Sequence, residues 1–250
     1  MWSETIGYRD FRHPFLRRFF SSAAEIIPLT GKEDLLDLGC GVGEVALGLA
    51  PFVANLTGMD FEKPMLEETS KRAQAMGRKI RLVHSKVEEA PMHLGRFHLI
   101  TIGNAHWFMH SPATFARFEN WLMSGGRILV AVRLQNPQGA EWPRVFAATR
   151  EKWARGNRAL TKLTVDQFFQ GSSFVPVKRF VVHGERKLEL ENLILRAQGY
   201  SSTTRAILGE EDANRMIAEL RAVMAPYFRA GPIVEKHASM GHIYRRRQDS

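Results

Sequence analysis

The segment Asp37-Leu38-Gly39-Cys40-Gly41-Val42-Gly43 ends an apolar run in an acid and then places glycines at alternate positions. Glycine admits positive φ and lets a ligand approach backbone N–H groups that a side chain would screen. About 20 residues on, where nucleoside-binding units carry a ribose-holding acid, a second apolar run ends in Gly58-Met59-Asp60. The spacing G-x-G-x-G is not the G-x-G-x-x-G of a pyrophosphate-binding turn. It also lacks the lysine and hydroxyl with which a P-loop holds phosphate and magnesium. The two motifs together point to a nucleoside ligand without a pyrophosphate. A turn that only tightens strand–helix packing is the alternative.

Other reactive side chains carry less. His106 and His110 have the i, i+4 spacing of a helical metal clamp, but no acid stands at a matching spacing between them, so no metal site is expected. Glu67-Glu68 and Glu88-Glu89 are adjacent pairs that point to different sides of a helix, as solvated faces do. Cys40, the single cysteine, excludes an intramolecular disulfide and a thiolate cluster; inside the glycine turn it reads as a small space-filler.

Asp37-Leu38-Gly39-Cys40-Gly41-Val42-Gly43 resembles the first motif of class I S-adenosylmethionine (SAM)-dependent methyltransferases. Leu122-Met123-Ser124-Gly125-Gly126-Arg127 is similar to their L-K-P-G-G-R turn. Phe97–Ile102 followed by Asn104-Ala105-His106-Trp107-Phe108 resembles the F-D-L-V…A-x-H-W segment of a small-molecule branch that includes trans-aconitate and ubiquinone/menaquinone-pathway enzymes. The similarity is closest over residues 34–133 and extends to Arg186–Tyr200 and Ala218–Tyr244.

The resemblance implies SAM as cofactor. It counts Asp37 among the cofactor-binding residues and places the backbone of Gly39, Gly41 and Gly43 against its amino-acid portion, Asp60 on the ribose, Phe61 and Met65 beside the adenine, and Val87 at the adenine edge. It puts Asn104 near the transferring methyl and Tyr8 and Arg9 over the methionine carboxylate. His106, just after the fourth strand, is then the candidate base, or else part of the pocket wall. Lys86 and His98 stand where the family often has acids, and neither is given a family role.

These residues need a frame that brings strand ends together. Residues 34–133 alternate short apolar runs with helical patterns, as a doubly wound α/β sheet does. Strands are expected at Asp34–Leu38, Asn55–Asp60, Ile80–His84, Phe97–Ile102 and Arg127–Arg133, and later at Val175–Val182 and Ala238–Arg245. The expected fold is thus Rossmann-like, a seven-stranded mainly parallel sheet with helices on both faces and a helical lid. Helices are expected at Glu44–Phe52, Pro64–Met76, Ala113–Met123, Glu141–Gly156, Thr164–Phe169 and Asp212–Met224, with Gly125-Gly126 turning the chain into strand five.

Pro14–Ile27 reads as an apolar-faced helix that is either core or cofactor cover. The chain is expected to be one domain over 1–250, with 1–30 and 134–175 as cap or lid segments. Trp142, Phe146, Trp153, Phe168 and Phe169 fit an apolar acceptor pocket or a helical core, and Arg133 fits an anion-steering or a salt-bridge role.

The 250 residues, 44% apolar and 24% charged, exclude a disordered tail, a collagen-like fibre and a disulfide-stapled module. No apolar run approaches the roughly 20 residues of a membrane span, and Met1-Trp2-Ser3-Glu4 lacks the order of a signal peptide, so a cytoplasmic protein is expected. The formal charge of +9 is dispersed, with short runs only at Arg17-Arg18 and Arg245-Arg246-Arg247. A small-molecule acceptor is therefore expected ahead of a nucleic acid. An RNA methyltransferase and a protein that binds SAM without methylating are the other hypotheses.

Overall fold

A computed structural model describes residues 14–135, 140–155, 163–200 and 202–247. The strands are β1 (Asp34–Leu38), β2 (Asn55–Asp60), β3 (Arg81–His84), β4 (Phe97–Gly103), β5 (Leu122–Gln135), β6 (Phe174–Leu188) and β7 (Ile233–Arg246). The helices are α1 (Arg17–Ile26), α2 (Glu44–Leu49), α3 (Lys63–Ala75), α4 (Pro112–Trp121), α5 (Trp142–Trp153), α6 (Val165–Phe169), α7 (Leu190–Gln198), α8 (Arg205–Leu208) and α9 (Glu210–Met224). The seven strands form one mixed, mostly parallel sheet in the order β3-β2-β1-β4-β5-β7-β6, and the pairings among β1 to β5 are parallel. The expected Rossmann-like fold is borne out.

The described residues divide into two compact units: those within 15–133, 160–182 and 239–250, and those within 1–14, 134–159 and 183–238. In the first, successive strand residues serve opposite faces, as the two-residue pleat demands. Leu36, Leu38, Ile100, Ile102, Ile128 and Val130 join one core, whereas Leu35, Leu99, Leu129 and Ala131 join the other. Both faces are apolar because helices cover both. The second unit has a core of its own, built from Trp142 and Phe146 of α5, Leu193 of α7 and Met216 and Leu220 of α9.

Local chemistry sets several boundaries. α3 opens with Pro64 in its first turn and buries Met65, Leu66, Thr69 and Ala73 on one side. Ser111 caps α4 by accepting the Thr114 N–H at 3.2 Å, with Pro112 at the first helical position. Gly125 and Gly126 do not turn the chain into β5: the strand already starts at Leu122. Phe97 pairs with Leu122 while Leu99 pairs with Arg127, so the glycines sit in a bulge, with Gly125 at φ +76°. β6 and β7 run longer than expected, and α7 and α8 had no sequence expectation.

The segment drawn from sequence as one lid, 134–175, is divided: α5 belongs to the second unit and α6 to the first. Phe168 and Phe169 are buried in the first unit's core, so of the two readings of these aromatics the packing is that of helical cores. The face of α1 is likewise core. Phe19 is fully buried, and Phe20 fills the space above Gly48, where a Cβ would meet its ring at 2.3 Å.

Candidate functional site

Register puts the chemistry on one edge. Leu38 pairs with Met59 and with Ile102, Asp60 with His84, and Gly103 with Ala131. The carboxyl ends of five strands therefore share the edge where ligands bind in open α/β sheets.

The turn after β1 holds Gly39, Gly41 and Gly43 at φ +60°, +53° and +74°. A Cβ on Gly39 would lie 2.8 Å from Cβ of Ala105, and one on Gly43 would lie 2.7 Å from Cγ2 of Thr69. Packing and φ both demand glycine at those two positions. Gly41 differs, because a Cβ there would meet nothing within 4 Å. Its face is open, and backbone is what a ligand there would touch.

Two carboxylates hold the turn. Asp60 is buried, and its Oδ2 accepts the Gly41 N–H at 2.8 Å while its Oδ1 accepts the Glu62 N–H at 2.9 Å. The Phe61 N–H is a third backbone donor to this carboxylate, which leaves room for a further one. Burial raises its pKa against those backbone donors. Asp37 lies wholly inside, accepting the Thr101 hydroxyl at 2.7 Å and the Ala46 N–H at 3.1 Å. Burial pushes its carboxyl up to about 7, outweighing both hydrogen bonds, and the Asp60 charge adds to the rise. Asp37 thus ties β1 to β4 and to the first turn of α2 from behind the glycines. Thr69 closes the other side, donating to the Gly41 carbonyl at 2.7 Å.

Around this turn, Phe61 is half exposed beside Asp60, whereas Met65 and Val87 are buried. Cys40 is buried with Sγ 3.1 Å from where a Cβ on Gly58 would stand; burial drives its thiol pKa well up, which suits a filler and not a nucleophile. Lys86 pairs with Glu89 at 2.9 Å in solvent. His98 Nδ1 accepts the Asp34 N–H at 3.1 Å at the far end of β1. Tyr8 and Arg9 lie outside the described residues.

Beyond β4, Asn104 adopts φ +50°, gives its N–H to the Ala131 carbonyl at 2.9 Å and accepts the Arg133 N–H on Oδ1 at 3.0 Å. Its side chain thereby joins the ends of β4 and β5. Arg133 forms an ion pair with Glu44 and lies 4.4 Å over the Phe15 ring; Glu44 also accepts the Phe15 N–H at 2.7 Å. Sequence reading left Glu44 out, because only the fold shows that the first residue of α2 meets the end of β5.

His106 is 2% exposed. Its Nε2 lies 2.9 Å from the Leu163 carbonyl, which only accepts, so Nε2 bears the proton and Nδ1 carries a lone pair. That Nδ1 is buried with no partner among the described residues, and burial lowers the imidazole pKa. His110 packs against Phe115 and Phe168, and no group of three or more metal-ligating side chains occurs among the described residues. His242 of β7, which the sequence does not single out, is a second buried imidazole whose Nε2 has no partner among the described residues; burial takes its pKa down to about 4.

Residues 35–126 match the family model of a methyltransferase domain. The chain is 32% identical over 110 residues to a demethylmenaquinone methyltransferase of Thermus thermophilus, covering 42% of this chain and 50% of that one. It is 29% identical over 118 residues to a ubiquinone biosynthesis O-methyltransferase of Marinobacter nauticus, covering 46% and 49%. The chain thus spans about half the length of these curated relatives. A SAM-dependent methyltransferase of Thiobacillus denitrificans, solved with S-adenosylhomocysteine, shares the fold with a TM-score of 0.58 at 17% identity, over 97% of this chain and 96% of that one.

Proposed function

We propose that this chain, whose residues 35–126 are a methyltransferase domain of the class I SAM-dependent family, transfers a methyl group from SAM to a small-molecule acceptor. The observation that carries the reading is the pairing of an open Gly41 face with a buried Asp60 carboxylate that already holds the Gly41 N–H. An adenosine fits such a cradle: the ribose reaches the remaining acceptor position of Asp60, and Phe61 and Met65 offer apolar surface to the base. The small-molecule acceptor rests on the quinone-pathway names of the two curated relatives.

When bound, SAM supplies an electrophilic methyl on a sulfonium with a good leaving group. The protein's work is then to hold donor and acceptor in line and to exclude water. Asp37 and Thr69 fix the turn from two sides, and Asn104 fixes the edge between β4 and β5. His106, almost wholly buried with its Nε2–H on the Leu163 carbonyl, serves as part of the wall beyond β4. The reading does not need a metal.

Calorimetric titration of SAM and S-adenosylhomocysteine tests it. Both are expected to bind below millimolar concentration, and Asp60→Ala is expected to weaken binding by about 1–3 kcal/mol, the cost of leaving a buried donor unpaired. Absence of binding by either ligand contradicts the proposal.

A further inference from the structure

The opposite edge of the sheet carries a groove of about 550 Å³, lined at the starts of β1, β2 and β3 and by the approach to β4. That size lies within the roughly 300–1,000 Å³ of small-ligand sites. It is not an extension of the glycine turn: Asp34 lines the groove, and the turn starts at the other end of β1, roughly 13 Å away at about 3.3 Å per residue.

The lining is amphiphilic. Leu56 and Phe97 are buried beneath it, and Ile80 and Leu94 are half-buried in its walls. Lys79, Arg81 and Arg96 stand exposed around it, and among the described residues none of the three forms an ion pair. Arg81 is fixed by its Nη2 donating to the Leu94 carbonyl at 2.7 Å. The one acid in the lining, Asp34, is engaged by the Asn55 amide at 2.7 Å, with His98 Nδ1 at 3.8 Å. Three cations against one acid, over an apolar floor, favour a ligand with a negative head and an apolar body.

We propose that this groove is a second binding site, for a small amphiphilic anion: a carboxylate or phosphate ester on an aryl or medium-chain alkyl body. Such an occupant sits at the N-terminal ends of the strands and leaves the glycine turn free.

The test uses the full chain, with and without S-adenosylhomocysteine, following the Ile80 methyl resonance by NMR. The probes are octanoate, n-octanol and inorganic phosphate. Octanoate is expected to shift Ile80 in both conditions and to bind at least tenfold more tightly than either of the others. Arg96→Glu, and separately Lys79→Glu, are expected to weaken octanoate at least tenfold without changing S-adenosylhomocysteine affinity. An unmoved Ile80, or octanoate affinity indifferent to both charge reversals, overturns the proposal. So does phosphate binding as tightly as octanoate, which means an adventitious ion only. A short RNA that displaces octanoate with steep salt dependence would give the groove to nucleic acid and overturn it equally.

Discussion

At the scale of single residues, two buried carboxylates a few ångströms behind the glycines set different tasks. Asp60 accepts the backbone N–H groups of Gly41 and Glu62 at the turn itself, whereas Asp37 spends its oxygens on Thr101 and the Ala46 N–H. With its pKa raised to about 7 from an unfolded value of about 3.8, the native state binds the Asp37 proton more tightly than the unfolded chain does. Its contribution therefore favours folding at low pH and is lost as pH rises through 7. Melting temperatures of the wild type and of Asp37→Asn, measured between pH 5 and 8, check this: the wild type is expected to lose more stability over that interval than the variant. Parallel curves contradict a carboxyl titrating there.

Asp37, Asp60 and the three glycines were legible in the sequence because their spacing is local to one turn and one strand end. The tautomer of His106 and the Glu44–Arg133 pair were not. Each depends on a partner dozens of residues away, Leu163 for His106 and Arg133 for Glu44.

At the scale of elements, the proposed binding role of the glycine turn falls on a different glycine from its packing role. Gly41 and Gly43 both sit at positive φ, which costs an alanine about 1–2 kcal/mol. Only at Gly43 does the added methyl also strike Thr69. Denaturant unfolding is thus expected to show Gly43→Ala more destabilised than Gly41→Ala, with overpacking adding about 1–3 kcal/mol. Titration of S-adenosylhomocysteine is expected to show Gly41→Ala losing affinity while still folded. Equal stability losses with intact binding in Gly41→Ala would contradict the division of labour.

The strands of 34–103 were readable almost to the residue, since each is a short apolar run flanked by turn signals. Helices α7 and α8 were not, because Leu190–Gln198 and Arg205–Leu208 are too short for periodicity to separate them from loop. The Gly125-Gly126 bulge escaped because two glycines after a helix signal a turn as strongly as a bulge; only pairing with Phe97 and Leu99 decides.

At the scale of the whole molecule, the charge of +9 is not spread over unpaired cations alone. In the second unit, Glu235 takes Arg196 at 2.5 and 2.8 Å and Arg186 at 2.8 Å, with Arg196 and Glu235 almost wholly buried. Burial raises the Glu235 pKa, but hydrogen bonds and charge from Arg196 and Arg186 overcome it and hold the carboxyl at about 2. Its folded pKa is depressed, so its stabilisation is present above the usual carboxylate range and is lost as pH falls toward 2. Glu235→Gln leaves two guanidinium groups without their anion, one of them buried, and is expected to cost about 3–5 kcal/mol of unfolding free energy at pH 7. Denaturation of the variant checks this, and a loss under 1 kcal/mol contradicts it. Among the described residues no helix is long and apolar enough to cross a membrane.

What meets Asp60 decides whether this edge of the sheet takes an adenosine. A crystal structure of the chain with S-adenosylhomocysteine measures that contact directly. Ribose hydroxyls within hydrogen-bond distance of the Asp60 carboxylate, with the ligand lying on the open face of Gly41, are the predicted result. A ligand bound elsewhere, or a ribose turned away from Asp60, would contradict it.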